Sequence, residues 1–217
     1  DQADYLNSAL DHARALSFLG GNGALDFGSF LDKSPKIPPL ASIVNGAVIA
    51  FAGDAPHKAA WSLSLWNGFF IFNIASWGLY LKGRKFALFC VFITAFSPFL
   101  FALRTDYVLE LPLISAVTFY LFHVGKWSEN TSGGKWIQLI IALFACSSCL
   151  LIKQSSLLVI IPSFLFLFII SFKRDNKFRL QLFCFFLSNF LAILPWFYHN
   201  WIMILSGTYR AVLNRQL

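Results

Sequence analysis

The sequence predicts an all-α fold, a polytopic bundle of transmembrane helices with amphipathic juxtamembrane helices in its first outer loop. Hydrophobic residues make up 58% of the 217 residues and charged residues only 12%, whereas charged residues are about a quarter of an ordinary soluble domain. The 26 phenylalanines add more bulky side chains than one soluble core of this size absorbs. Several apolar runs approach the roughly 20 residues that cross a bilayer. Composition therefore excludes a soluble globular domain, a disordered chain and a nucleic-acid-binding module.

Residues 1–58 differ in composition from the rest, and we expect them to form an extracytoplasmic loop region with short helices. Apolar side chains recur at helical spacing near its start, which predicts an amphipathic helix over 2–18. Prolines stiffen the segment that follows and permit a helix to begin after them. Residues 40–53 are apolar but too short to cross a bilayer, so we expect an interfacial or half-buried helix there.

Residues 59–217 predict a transmembrane bundle of about six helices with a short outer C-terminal tail. The candidate spans are 59–81, 86–103, 108–125, 136–152, 155–172 and 180–198. Lys and Arg are distributed unevenly among the loops between them. Nine lie in the loops 82–85, 126–135 and 173–179, and one lies in each of the loops 104–107 and 153–156.

This asymmetry predicts the orientation, because positively charged loops stay in the cytoplasm. The N-terminal region, the two weakly charged loops and the C-terminal tail are then expected on the opposite face. Eight of the ten acidic residues fall on that outer face or its boundary. Since acidic residues contribute little to orientation, their segregation indicates an outward-facing polar site.

Two carboxylates at the start of the chain are the first candidates for chemistry. Asp1 and Asp4 lie three residues apart, so both face the same side of a helix. They suit two roles: they could stabilise the N-terminus of the helix, or one could accept a proton from an acceptor hydroxyl at the membrane surface. The residues alone leave both roles open.

Three cations on the predicted outer face are candidates for binding a phosphate. Lys36 lies in the proline-stiffened loop, where a lysine either extends into solvent or binds phosphate as a point charge. Lys153 lies in a very short turn on the face where a lysine has no role in orientation, which favours a phosphate-facing role. Arg104 lies at the mouth of a helical hairpin, at membrane depth, where an ionisable residue is a functional candidate.

The same hairpin carries Asp106 and Glu110, and the last span ends close to His199. Asp106 could pair with Arg104, and Glu110 could lie among the lipid headgroups; the alternative is that both serve the site. The aromatic residues before and after His199 are typical of a membrane interface, and a lone histidine there is either structural or an accessory to the site.

Taken in order, these phrases resemble a known family. They are Asp1-Gln2-Ala3-Asp4-Tyr5, Lys36-Ile37-Pro38-Pro39-Leu40, Gly83-Arg84-Lys85, Asp106 with Glu110-Leu111-Pro112-Leu113, and Pro195-Trp196 with Asn200. The pattern is similar to that of the GT-C polytopic glycosyltransferases, in particular the branch containing protein O-mannosyltransferases and bacterial aminoarabinose transferases of lipid A. Two positions depart from it: Gln2 stands where the family has glutamate, and Ile37 interrupts the Lys-Pro-Pro-Leu phrase.

The resemblance implies a membrane glycosyltransferase that moves a sugar from a polyprenyl-phosphate donor to an acceptor hydroxyl on the extracytoplasmic side, with inversion. The acceptor would be a lipid, a glycan or a protein, and the membrane a bacterial inner membrane. The implied catalytic residues are Asp1 as the base and Asp4 as its accessory. Lys36, Arg104 or Lys153 would offset the charge of the departing phosphate. Tyr5, Asp106, Glu110 and His199 would be accessory substrate-binding residues.

Some relatives use a divalent metal, but no ligand spacing in this chain marks a metal site, so no cofactor is assigned. A transporter or flippase is the alternative, and it predicts ionisable residues near mid-bilayer and internal repeats. The sequence has neither feature. A non-catalytic membrane subunit is a further alternative. Because the chain begins in a polar phrase without a methionine, we expect a fragment with a helix missing upstream.

Overall fold

The computed structural model describes residues 2–17, 32–34, 37–53, 56–129 and 136–213. The regular structure in these ranges consists of nine α-helices and one 3-10 turn, Gln154–Ser156, without a strand. The helices are α1 (Gln2–Ser17), α2 (Leu40–Ala52), α3 (Pro56–Lys82), α4 (Arg84–Ala95), α5 (Pro98–Thr105), α6 (Glu110–Glu129), α7 (Trp136–Ile152), α8 (Leu157–Ser171) and α9 (Asn176–Leu213). The all-α fold class is confirmed. Asp1 and Lys36 lie outside the described residues.

Small residues bring α1 and α2 together. Ala9 and Ala13 of α1 are buried against Gly46 of α2. A Cβ atom on Gly46 would lie 2.8 Å from the carbonyl oxygen of Ala9 and 2.9 Å from the backbone nitrogen of Ala13. The two helices therefore approach backbone to backbone. Leu6 and Leu10 pack at the edge of this contact, half-buried.

The segment predicted as one span over 86–103 consists of two helices in the structure. α4 and α5 meet at a bend of 60°. Ser97 lies between them in an extended conformation, with φ −67° and ψ 123°, and Pro98 follows as the first residue of α5. A proline disfavours helical backbone in the residue before it, so the Ser97–Pro98 step ends one helix and begins the next.

α6 forms the centre of the bundle, between α3 and α7, and α9 packs along α7 and α8. The fully buried Trp127 of α6 stacks between Phe178 and Phe185 of α9, at 5.2 and 5.3 Å between ring centroids. Its indole nitrogen donates to Gln181 over 3.2 Å. α9 also runs well past residue 198, where the sequence predicted that the last span ends, and it contains Pro195 within the helix.

The outer surface of the helices is apolar, as a lipid environment requires. Leu158 is 80% exposed and Phe96 is 73% exposed, with many other large apolar side chains. Two segments, Gln154–Ser171 and Asn176–Ile204, are long and apolar enough to cross a membrane, and the bent pair α4–α5 makes a third if it counts as one span. The total of about six spans stays a prediction.

Long-range contacts gather the loops at two ends of the bundle. At the basic end, the Tyr80 hydroxyl is hydrogen-bonded to the Glu129 carboxylate, and Arg174 donates to the backbone carbonyl of Ser128 over 3.0 Å. At the acidic end, Lys153 pairs with Glu110. The described parts of the three loops rich in Lys and Arg thus lie together, away from the weakly charged loops.

Candidate functional site

A cavity of about 460 Å³ opens between α1, α2 and the loops beside them at the acidic end. Four segments of the chain contribute to its wall: α1, the loop that contains residues 32–34 and 37–39, the first turns of α2, and Leu109 just before α6. The described lining residues are Asp4, Tyr5, Asn7, Ser8, Asp11, Ser34, Ile37, Pro38, Ser42, Asn45 and Leu109.

One face of α1 supplies the acidic side of this cavity. Asp4, Ser8 and Asp11 follow one another at intervals of four and three residues, so they lie on one stripe of the helix. The opposite stripe carries the small residues that pack on α2. Asp11 is also paired with Arg14 of the next turn over 3.3 Å, in an exposed ion pair. The division of α1 into a packing face and a polar face therefore aims both carboxylates at the cavity.

The wall formed by α2 contains the buried side-chain amide of Asn45, and a hydrogen bond from Trp66 sets its orientation. Asn45 is 4% exposed, and its Oδ1 accepts a hydrogen bond of 2.8 Å from the indole nitrogen of Trp66 on α3. The buried hydroxyl of Tyr107 lies beside the side chains of Asn45 and Ser62. Burial raises the pKa of this hydroxyl, so it stays protonated at neutral pH.

The last helix holds the loop that covers one side of the cavity. The indole nitrogen of Trp196 donates to the backbone carbonyl of Ser34 over 3.1 Å, and His199 Nε2 lies 2.6 Å from Asp32 Oδ1. Within the loop, the hydroxyl of Ser34 donates to the carbonyl of Ile37 over 2.7 Å. Residues more than 160 positions apart thus fix the loop that precedes Pro38.

A second group of charges lies next to the cavity, where α6 begins. Lys153 Nζ is 2.5 Å from Glu110 Oε1, which joins the turn before α8 to the start of α6. Arg104 donates from Nε to Asn67 Oδ1 of α3 over 2.9 Å. Asp106 is exposed, and among the described residues no ion pair joins it to Arg104.

The Lys153–Glu110 pair predicts a measurable coupling between α6 and the turn before α8. Lys153→Glu places two carboxylates side by side and is expected to lower the free energy of unfolding by about 1 kcal/mol, the upper range for a partly exposed pair. The double variant Glu110→Lys/Lys153→Glu restores opposite charges and should recover most of that loss. Melting temperatures in detergent check this, since about 1 kcal/mol corresponds to roughly 2–4 °C in a chain of this size. A double variant no more stable than Lys153→Glu would contradict the coupling.

The structure places the predicted site residues in three groups. Asp4 and Tyr5 line the cavity. Arg104, Asp106, Glu110 and His199 lie in or beside the neighbouring loops, together with Lys153, but none of them is among the lining residues. Asp1 and Lys36 are outside the described residues. The carboxylate, loop and hairpin segments singled out in the sequence therefore meet at one end of the bundle, through Asp4, Pro38 and Leu109.

Three residues of the site were missed by sequence reasoning. Asp11 has a signal that could have found it, because it lies two helical turns after Asp4 on the same face. Asn45 has none, since an asparagine inside a short apolar helix shows neither its partner nor the cavity. Asp32 is likewise recognisable only through its contact with His199.

No group of three or more His, Cys, Asp or Glu side chains is arranged to hold a metal ion within the described ranges. The oxygen-bearing residues at the cavity instead offer carboxylates, amides and hydroxyls at separate positions of its wall. Such a set can accept protons and form hydrogen bonds with a hydroxyl-bearing ligand.

Comparison with known proteins gives one match. The family model described as dolichyl-phosphate-mannose-protein mannosyltransferase matches residues 37–205, more than half of the chain. The matched region begins at Ile37 in the cavity wall and extends into α9, whereas α1 with Asp4 lies before it. No curated protein and no solved structure matches the chain significantly.

Proposed function

The chain belongs to the dolichyl-phosphate-mannose-protein mannosyltransferase family, and from this premise we propose that it transfers a sugar from a polyprenyl-phosphate donor to an acceptor hydroxyl on the extracytoplasmic face of a membrane, with inversion at the anomeric carbon. Membership confirms the family that the sequence resembled. It makes the chain an integral membrane glycosyltransferase that uses a lipid-linked sugar. Family membership does not specify the donor's polyprenyl lipid, the side of the membrane on which transfer occurs or the inversion; these three we propose.

The cavity between α1 and α2 is the observation that carries the proposal. Direct attack by an acceptor hydroxyl requires a base that takes the hydroxyl proton as the bond to the anomeric carbon forms. Asp4 offers a carboxylate in a cavity large enough for a sugar ring. The oxygen–carbon bond of the product forms as the bond to the donor phosphate breaks, and the phosphate leaves with the bonding electron pair. One such displacement inverts the anomeric centre.

The proposed base is Asp1 or Asp4, with the other carboxylate as its accessory. The family resemblance points to Asp1, whereas Asp4 is the carboxylate that lines the cavity. On the leaving-group side, Lys36, Arg104 and Lys153 are the proposed phosphate-binding cations. Lys153 already neutralises Glu110, which favours Lys36 and Arg104 for this role. Tyr5 lies beside Asp4 and supplies an aromatic face for the sugar, with Asp106 and His199 at the loops around it.

The proposed outer location of the cavity is supported by the two ends of the bundle. The basic end carries exposed Lys and Arg residues, including Lys82, Lys173 and Lys177, and such loops remain in the cytoplasm. The cavity opens at the other end, which would face the outside of the cell. For a bacterial chain this is the periplasmic face of the inner membrane.

Incubation of the full-length protein with a panel of lipid-linked sugars tests the proposal. The panel consists of polyprenyl phosphates that carry mannose, glucose, galactose or 4-amino-4-deoxyarabinose, offered with lipid, glycan and peptide acceptors. We expect one donor to be consumed with release of polyprenyl phosphate and formation of a glycoside of opposite anomeric configuration. Flux of a donor across sealed vesicles without any glycoside would support the transporter alternative, and neither transfer nor flux would support a non-catalytic subunit.

A further inference from the structure

The residue composition of the cavity wall favours the sugar ring of a lipid-linked sugar over its phosphate. Its described residues include two carboxylates, Asp4 and Asp11, but no Lys or Arg. The other polar members are amides and hydroxyls. Both carboxylates accept hydrogen bonds from hydroxyls, and the charge of Asp4 disfavours a phosphate, while Arg14 offsets part of the charge of Asp11. The described wall of the cavity therefore suits the hydroxyl-bearing ring of the donor, and the phosphate is assigned to the cations proposed above.

Asn45 gives this cavity a hydrogen-bond donor of fixed direction. The indole nitrogen of Trp66 can only donate a hydrogen bond, so the atom of Asn45 that it contacts, at 2.8 Å, is the amide oxygen. The amide group is planar, so its NH2 group points away from Trp66, on the side where the Tyr107 hydroxyl lies beside Asn45. The Tyr107 oxygen can take one of its two N–H bonds, which leaves the other for a ligand. Because Asn45 lines the cavity and is 4% exposed, its side chain is held by packing and by Trp66 before any ligand arrives.

We propose that Asn45 is a specificity-determining residue that donates a hydrogen bond from its amide NH2 to a ring hydroxyl of the donor sugar, with Asp11 accepting from a neighbouring hydroxyl and Trp66 acting as a positioning residue. This inference rests on the proposed function, since it assigns the cavity to the sugar of a polyprenyl-phosphate donor. It adds three side chains to the site, all from positions that the catalytic scheme does not use.

Thermal stabilisation by two ligands separates sugar binding from catalysis. A ligand that binds the folded state raises the melting temperature in proportion to its affinity. Each sugar-bearing member of the panel is compared with bare polyprenyl phosphate of the same chain length. We expect at least one of the sugars to add stabilisation beyond that of the bare lipid in the wild-type protein. If no sugar adds any, the cavity does not bind the ring and the inference is wrong, whatever the transfer assay shows.

Asn45→Asp tests the donor role, because the carboxylate keeps the acceptor for Trp66 and replaces the NH2 donor with a charged acceptor-only oxygen. We expect the stabilisation by bare polyprenyl phosphate to stay unchanged, while the affinity for the sugar-bearing donor falls about tenfold, the equivalent of one lost hydrogen bond. Asn176→Asp is the matched control. It adds the same charge at the basic end and retains the oxygen that accepts a hydrogen bond from Arg179 Nη1, which lies 3.3 Å from Asn176 Oδ1.

If the buried carboxylate of Asn45→Asp prevents folding, Trp66→Phe is the variant to measure instead. It keeps the ring packing, releases the amide of Asn45 from its fixed orientation, and is expected to weaken the sugar-dependent stabilisation several-fold while leaving the bare-lipid effect intact. Full sugar-dependent stabilisation in whichever of these variants folds would overturn the role of Asn45. If these variants lose the sugar-dependent stabilisation and the wild-type protein transfers no sugar, the binding role of Asn45 stands and only the proposed transfer is rejected.

Discussion

Asp4→Asn is expected to slow sugar transfer by a factor of about 10²–10⁴, the usual contribution of a positioned general base. The amide of asparagine has the same shape as the carboxylate but cannot take the proton of the attacking hydroxyl. Asp4 is exposed on α1, so the substitution disturbs little packing and the melting temperature should change by less than about 2 °C. The rate under saturating donor and acceptor is the measurement, because a base acts on kcat more than on substrate affinity.

Two further variants make the Asp4 result interpretable. Asp1→Asn tests the carboxylate that the family resemblance favours, and loss of transfer in it with retention in Asp4→Asn would move the base role to Asp1. Asp175→Asn is the control at the basic end, where Asp175 accepts a hydrogen bond of 3.0 Å from the backbone nitrogen of Phe178. Asparagine stabilises a helix start equally well, so this variant should transfer sugar at the wild-type rate. Wild-type rates in both Asp1→Asn and Asp4→Asn would end the base assignment.

Gly46→Ala is expected to push α1 away from α2 and thereby to lower the rate of sugar transfer. The added Cβ would meet backbone atoms of Ala9 and Ala13 and the Cβ of His12, all within 2.9 Å. Backbone cannot move aside as a flexible side chain can, so overpacking should cost about 1–3 kcal/mol of stability. That cost equals or exceeds the roughly 1 kcal/mol that alanine gains over glycine from helix propensity. Displacement of α1 by about 1 Å would move Asp4 relative to Asn45 and lower transfer by about 10²-fold.

Gly68→Ala is the matched control for this variant. Gly68 lies on α3, and a Cβ added there meets no atom within 4 Å. The same substitution should therefore leave transfer unchanged and raise stability by as much as roughly 1 kcal/mol. Melting temperature and transfer rate are measured on both variants. If Gly46→Ala is as stable and active as Gly68→Ala, the close contact of α1 and α2 does not position the site.

Most of the helical elements could be predicted because their signals are local. The apolar run of 136–152 coincides with α7, and the predicted helix over 2–18 contains α1, Gln2–Ser17. The bend at Ser97–Pro98 also had a local signal, since proline restricts the residue before it, but the length of the apolar run around it predicted one continuous span. The extension of α9 through Pro195 was beyond sequence reasoning, because a proline inside a membrane helix is tolerated when neighbouring groups compensate.

Only part of the candidate site could be predicted from the sequence, and the chemistry of each residue decides whether it could be recognised. Asp4 and Tyr5 stood out because charged and aromatic residues at the start of an amphipathic helix are informative by themselves. Lys153 and Glu110 were both recognised, but their ion pair was not, since 43 positions separate the two residues. The role of Asn45 depends on Trp66, and no residue near either one in the sequence indicates that the two form a hydrogen bond.

The amino-acid sequence by itself determined that this protein is a helical membrane protein of a glycosyltransferase family, because span length, loop charge and family motifs are properties of continuous stretches of chain. Only the tertiary structure decided which polar groups share a cavity, which cations are already neutralised and which glycine must remain a glycine. These depend on how closely helices pack. The close approach of α1 to Gly46 of α2 and the hydrogen bond of 2.8 Å between Asn45 and Trp66 arise from side-chain volumes summed across the whole bundle rather than from any one segment.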